Sequence, residues 1–254
     1  MERLRDVARA GHLDQDVLVR EAAGALAGLG DDPGGLVLSC KRLVERHPTS
    51  GPLWWLCARL LESADTRAEA WRCAEAVAGD TTPRHLAAVL PEDALVTVVG
   101  WPELVAETLH WRGDLEVLVV DAQGEGAAFV RRLVRAEVAA VEVPESGTAA
   151  AAAVSDVVVL EASALGSESF LAPSGSRAAA AVAHAAGVPV WLVAGVGRAL
   201  PDRLWQAVTA RLDLDSPWDS EMEIVPLDLV DAVLGPEEGV VVRPDCPAAP
   251  ELLD

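Results

Sequence analysis

The sequence predicts an α/β protein: a helical segment of about ninety residues followed by a mostly parallel sheet flanked by helices. Two observations carry this. Up to residue 91 the apolar residues recur at helical spacing and no β-branched run appears. From residue 92 onward, short apolar runs rich in valine alternate with helix-like stretches. Strands apolar on both faces, spaced by helices, are the pattern of a parallel sheet covered on both sides. The division expected is a helical domain over residues 1–91 and an α/β domain over residues 92–254.

In the first part, Leu18, Ala22, Ala25, Leu26 and Leu29 fall on one helical face. The run Gly30-Asp-Asp-Pro-Gly-Gly35 breaks the chain, and Leu36, Cys40, Leu43 and Val44 resume the helical pattern. After His47-Pro-Thr-Ser-Gly-Pro52, Pro52 suits the first position of a third helix carrying Leu53, Leu56, Cys57, Leu60 and Leu61. Thr66-x-x-Glu69 has capping-box form and opens a fourth helix through Ala70, Cys73, Ala74 and Val77. Thr82-Pro83 opens a short fifth one.

In the second part the predicted strands are Ala94–Val99, Leu115–Val120, Val138–Val143, Val157–Leu160 and Val188–Val193, with Glu223–Leu227 and Val240–Val242 as two further ones. The predicted helices are Pro102–His110, Gly126–Arg135, Thr148–Ala153 and Arg177–Ala186. The proline-rich tail from Pro244 is expected to dock as extended chain.

Composition bounds the function. Of 254 residues, 51% are apolar, enough for a sizeable core, and 20 basic against 40 acidic residues give a net charge of −20. Such a chain is poorly suited to nucleic acid or an anionic membrane surface, both of which are held by lysine and arginine. Its longest apolar run, Ala149–Val154, is far short of a membrane span, and MERLRDVARAGHLDQD lacks the apolar core of a signal peptide. Cys40, Cys57, Cys73 and Cys246 form no CxxC pair, as expected for buried thiols of a cytoplasmic protein. His12, His47, His85, His110 and His184 are not paired at ligand spacing, so no metal or cofactor is expected. The alanine–arginine–glycine bias suits a bacterial source.

In an open parallel sheet, ligands bind beyond the carboxyl ends of the strands. That places interest on the loops Gly100–Glu103, Asp121–Gly126, Glu161–Ser176 and Ala194–Pro201. Trp101 is the tryptophan placed to face a ligand, and Asp121 can either hydrogen-bond a diol or cap a helix. Gly175 and Ser176, at a helix start, can offer N–H groups to an anion or serve as an ordinary cap. Neither GxxxxGK[ST] nor GxSxG occurs, which removes the P-loop and α/β-hydrolase readings.

Four stretches, in order, resemble the superfamily that joins the regulatory subunits of initiation factor 2B to methylthioribose-1-phosphate isomerase and ribose-1,5-bisphosphate isomerase. Arg46-His-Pro-Thr-Ser-Gly-Pro-Leu-Trp-Trp55 is similar to its "RPTxxPL" helix start, and Ala94-Leu-Val-Thr-Val-Val-Gly100 to its "ILTH" strand. Ser155-Asp-Val-Val-Val-Leu-Glu-Ala-Ser163 resembles "DLVLVGAD", with Gly175-Ser176 standing for the "GT" that follows. Glu223-Ile-Val-Pro-Leu-Asp-Leu-Val-Asp231 resembles the closing "VPLxLI" segment. The resemblance implies a helical N-terminal domain on a Rossmann-like domain of the NagB/RpiA/CoA-transferase-like type, and dimerisation.

It also implies where the isomerases keep their chemistry, and there this sequence departs. The cysteine position is Val99, the aspartate position is Ser163, and the "NK" pair falls on Ala172 and Pro173. The "ESRP" arginine is missing beside Asp121, and the "RGAP"-like segment is at best Arg20-Glu-Ala-Ala23. Shifting a proton between two sugar carbons needs a group that gives and takes protons, and valine does neither. The reading is a catalytically silent binding or regulatory protein, a homodimer with a small sugar-like or phosphorylated ligand or a basic protein partner. Its binding residues are Arg20, Gly100, Trp101, Asp121, Glu161, Ser163, Gly175 and Ser176. The alternative is an enzyme with altered chemistry, in which Glu161, with Ser163, Glu168 and Asp121, replaces the lost groups.

Overall fold

The computed structural model describes residues 14–212 and 216–253; His12 and most of the N-terminal stretch read above lie outside them. Five helices come first: α1 (Gln15–Leu26), α2 (Pro33–Arg46), α3 (Gly51–Leu61), α4 (Thr66–Ala78) and α5 (Thr82–Val89). α3 is the central one. From Leu53 to Ala58 every side chain is buried, including both Trp54 and Trp55, while α1, α2 and α4 each bury one stripe against it. The starts of these helices are capped locally. Asp32 accepts from Gly35 N, and Ser50 accepts from Leu53 N. At α4 the cap is Asp65, which accepts from Ala68 N, and not Thr66. The expected capping box fails because the cap falls one residue earlier: three residues after Asp65 stands Ala68, and Glu69, out of register, pairs with Arg59 and Arg72.

Six strands form one parallel sheet in the order β3-β2-β1-β4-β7-β9. They are β1 (Leu95–Val99), β2 (Glu116–Val120), β3 (Ala139–Val143), β4 (Val157–Glu161), β7 (Val190–Val193) and β9 (Ala232–Leu234). Alternate side chains of β1 feed two cores. Val96 and Val98 pack with α5, α6 (Glu103–Trp111) and α7 (Gly126–Arg135) on one face. Val99 packs on the other with Val158 and Leu160 of β4, α8 (Thr148–Val154) and α9 (Ser176–Ala186).

Three sequence expectations are corrected. The segment Glu161–Ser176 is not a plain loop: it contains β5 (Ala164–Leu165) and β6 (Ser169–Pro173), which join β8 (Met222–Pro226) in a small antiparallel sheet. Its alternating side chains divide between two cores, Leu171 toward the helices and Phe170 and Ala172 toward the large sheet. Val240–Val242 is irregular chain, and β9, three residues long, occupies the sheet edge instead. The tail is extended only in part and ends in a 3₁₀ turn, Pro250–Leu252. It is anchored on the helices by Trp55 Nε1, which donates to Asp245 Oδ1 at 2.5 Å, and by burial of Leu252.

The helices meet the sheet at Gly51. Its N–H donates to the Ser163 carbonyl at 2.9 Å, and a Cβ there would lie 2.6 Å from that oxygen, so only glycine permits the approach. The helical core continues past this contact into β5, β6 and α10 (Asp202–Thr209).

Candidate functional site

The chain leaves β1 toward β2 and β3 on one side and continues through β4, β7 and β9 on the other. The strand order thus reverses between β1 and β4, where an open sheet has its crevice. A cleft of about 620 Å³ opens there, beyond the carboxyl ends of the two strands. Val99 and Gly100 end β1, and Gly100 turns the chain with φ +68°. Glu161 ends β4. These three line the cleft with Trp101, Ser163 and Pro173, and the α2–α3 junction (Arg46 to Ser50) faces them.

Glu161 is fully engaged. Its Oε2 accepts from Leu104 N at 2.8 Å and Val105 N at 3.1 Å, in the first turn of α6. Its Oε1 is 2.9 Å from Arg198 Nη2, and the two side chains are only 8% and 6% exposed. Arg198 also donates to the Ala162 carbonyl. Glu161 therefore caps a helix and neutralises a buried arginine.

Glu103, one turn away, is the group sequence reading passed over. Its Oε2 accepts from Gln15 N at 2.7 Å, and Gln15 Oε1 in turn accepts from Ser50 Oγ at 2.5 Å. Burial, with the Glu161 charge beside it, pushes the Glu103 carboxyl up to about 7 against the pull of Arg198 and the Gln15 N–H. Gln15, Trp101, Glu103 and Arg198 form a partition, because the same four line a second cleft of about 850 Å³ behind the first. Trp101 packs on Phe129 at 5.3 Å between centroids and carries the Arg132 guanidinium 5.7 Å above its ring. At the first cleft, burial and then Arg46 hold His47 below the usual imidazole range.

Gly100, Trp101, Glu161 and Ser163 thus share one cleft, along with Val99. The other sequence candidates do not line it. Arg20 lies on the exposed side of α1. Asp121 accepts from Gly126 N at 2.7 Å and caps α7. Glu168 sits exposed in the β5–β6 turn. Gly175 (φ +100°) and the buried Ser176 open α9, where Glu223 accepts from Arg177 N at 2.9 Å. Among the described residues no three His, Cys, Asp or Glu side chains come together as a metal site, and no helix is long and apolar enough to cross a membrane. Glu103 and Arg198 lie in loops the topology rule singled out. The sequence marked neither, since an acid at a helix start reads as a response to the helix dipole.

A parallel six-stranded sheet, a helical layer ahead of it and a cleft at the strand reversal define a Rossmann-like α/β protein with a helical N-terminal part. Solved structures share this fold over nearly the whole chain. The translation initiation factor eIF-2B of Pyrococcus horikoshii OT3 superposes with a TM-score of 0.75 at 12% identity, covering 92% of this chain and 93% of that one. For eIF2B delta of Chaetomium thermophilum the TM-score is 0.71 at 16% identity, over 93% and 96% of the two chains. For 5-methylthioribose 1-phosphate isomerase of Pyrococcus horikoshii OT3 it is 0.66 at 15% identity, over 92% and 82%. These likenesses establish the fold. No protein-family model and no curated protein sequence matches the chain.

Proposed function

We propose that this chain is a non-catalytic binding protein, regulatory in role, that takes a small polar, sugar-like ligand in the first cleft. One observation carries the reading: the carboxylate that ends β4, Glu161, has both oxygens committed to α6 and Arg198. A general base must have an oxygen free to reach the proton it abstracts. The two positions that the resemblance assigns to thiol and carboxylate carry Val99 and Ser163, and both face the cleft without proton-transfer capacity near neutral pH. Polar groups remain for binding, among them Ser163, Thr49, His47 and Gln123.

A second reading, carboxylate-based chemistry on a sugar-like substrate, draws support from Glu103, whose carboxyl is raised to about 7 at the cleft wall. One experiment separates the two. Ribose 5-phosphate and ribose are added in thermal-shift measurements, and the same mixtures are followed by proton NMR in D₂O. The binding reading expects stabilisation with no deuterium entering at C1 or C2. Deuterium incorporation that Glu103→Gln abolishes would overturn it in favour of the enzyme. Working as an oligomer fits the reading, as one neighbour is a tetrameric eIF2B beta–delta complex from C. thermophilum. Light scattering is expected to give a homodimer.

A further inference from the structure

The second cleft carries opposite charges on different walls. α7 supplies Arg131, Arg132 and Arg135. The start of α1 and the outer face of α6 supply Asp14, Asp16 and Glu107. Most arginines among the described residues, twelve of sixteen, pair with no carboxylate; what sets these three apart is that they line one cavity together. Arg59, Arg72, Arg112 and Arg198 each pair with a carboxylate at 2.9 Å or less. Among the described residues Arg131, Arg132 and Arg135 have no carboxylate partner, although acidic residues outnumber basic ones by 40 to 20. Arg131 and Arg135 are also an i,i+4 pair of like charge, which is destabilising unless something neutralises it. The helix dipole accounts for cations in the last turn, but not for Arg131 in the middle of α7 or for three cations lining one cavity. Arg132 is already placed, with its guanidinium over the Trp101 ring.

We infer that the second cleft binds a small zwitterion, its phosphate held by Arg131, Arg132 and Arg135 and its ammonium group by Asp14, Asp16 and Glu107. Planar guanidinium forks pair with phosphate oxygens two bonds at a time, and carboxylates without hydrogen-bond donors of their own suit an ammonium. A volume of about 850 Å³ holds such a molecule with room to spare. The acidic wall excludes simple dianions, which the arginines alone would attract. The inference does not rest on the ligand or the catalytic status of the first cleft.

Phosphoethanolamine is the probe, with inorganic phosphate and ethanolamine as controls that each carry one sign of charge, titrated calorimetrically into the whole protein. Phosphoethanolamine is expected to bind at least about tenfold more tightly than either control, about 1.4 kcal/mol. Arg131→Ser/Arg135→Ser is expected to lose that binding by about tenfold or more. Asp16→Asn/Glu107→Gln is expected to bring phosphoethanolamine down to the level of phosphate. Arg131, Arg135 and Glu107 are exposed, so these variants leave the core intact. Arg203→Ser, at an exposed arginine that lines neither cleft, is expected to leave phosphoethanolamine binding unchanged. The inference is overturned if the parent protein does not bind phosphoethanolamine at millimolar concentration, or binds phosphate as tightly. It is equally overturned if the Arg131→Ser/Arg135→Ser variant binds undiminished or if Arg203→Ser weakens binding as much.

Discussion

Two clusters of charge around buried carboxylates, one in the helices and one at the cleft wall, use the same residue types in inverted proportion. In the helical half, Glu69 of α4 is a single carboxylate between two guanidiniums. Arg59 Nη2 lies 2.6 Å from Oε1, and Arg72 Nε donates to Oε2 at 2.9 Å. Burial works against its charge, yet the bonds from Arg59 and Arg72 outweigh that, and the carboxyl is held below its ordinary range. At the cleft wall two carboxylates, Glu103 and Glu161, share one guanidinium, Arg198. Glu161 takes the direct ion pair, and the carboxyl of Glu103 rises to about 7. Surplus cation fixes a scaffold charge, and surplus carboxylate leaves a proton exchangeable near neutral pH. Perturbed groups of the second kind gather at functional sites, and this one stands between two clefts.

The sharpest way to break the comparison is to remove the shared cation. Arg198→Met leaves Glu161 buried without its ion pair, and losing one partner of a buried pair costs about 3–5 kcal/mol. Urea unfolding at neutral pH measures it. Adding Glu161→Gln to the same variant is expected to recover part of the loss, because no charge then lacks a partner. A loss below about 1 kcal/mol, the worth of a surface pair, would mean that water reaches the partition and the contrast with Glu69 is empty.

The next effect is set by pH. Glu103 is raised from 4.5 to about 7, so the folded state binds the extra proton between those values. The contribution of Glu103 to stability is then greatest below 4.5 and falls as pH rises toward 7, by about 3 kcal/mol in all. Glu103→Gln is expected to remove this slope, so that the variant gains on the parent from pH 5 to pH 8. Glu69 runs the other way. Its carboxyl is lowered, so its contribution is present above the unfolded value and is lost as pH falls through the folded one. Glu69→Gln is expected to flatten only the acid limb. Parallel slopes for the two variants would dissolve the distinction.

The same contrast marks how far the sequence could be read. Four of the six large-sheet strands were legible because a strand covered on both faces must be apolar on both, as Val157–Leu160 is, whereas the largely exposed edge strand Ala139–Val143 was legible from its β-branched run alone. The sixth, Ala232–Leu234, is three residues long and half-buried, too short for a pattern, while the more apolar Val240–Val242 found no strand to pair with. The β5–β6 hairpin was hidden because its apolar residues serve two different cores. Gly100, Trp101, Glu161 and Ser163 could be assigned to one crevice from the topology rule alone. What Glu161 does there was not legible, since its partners Leu104, Val105 and Arg198 lie 57, 56 and 37 residues away in sequence (for Arg198, 198 − 161). Spacing arguments reach only about one helical turn, and even within that reach Thr66-x-x-Glu69 misled, because Asp65, one residue earlier, takes the cap.

The smallest effect tests that limit directly, because one task, satisfying the first turn of a helix, is done in two ways. At α4 it is local: Asp65 accepts from Ala68 N at 2.9 Å, three residues on, with an exposed side chain. At α6 it is tertiary: Pro102 precedes the helix without a capping side chain, and Glu161 arrives from the end of β4. Asp65→Ala is expected to cost about 1 kcal/mol, the ordinary worth of an N-cap, and Asp65→Ser to restore most of it. Hydrogen exchange is expected to quicken only in the first turn of α4 and to leave the α6 amides of Leu104 and Val105 protected. If Thr66→Ala cost as much as Asp65→Ala by this measure, the capping role would return to Thr66, and the local half of the comparison would need redrawing.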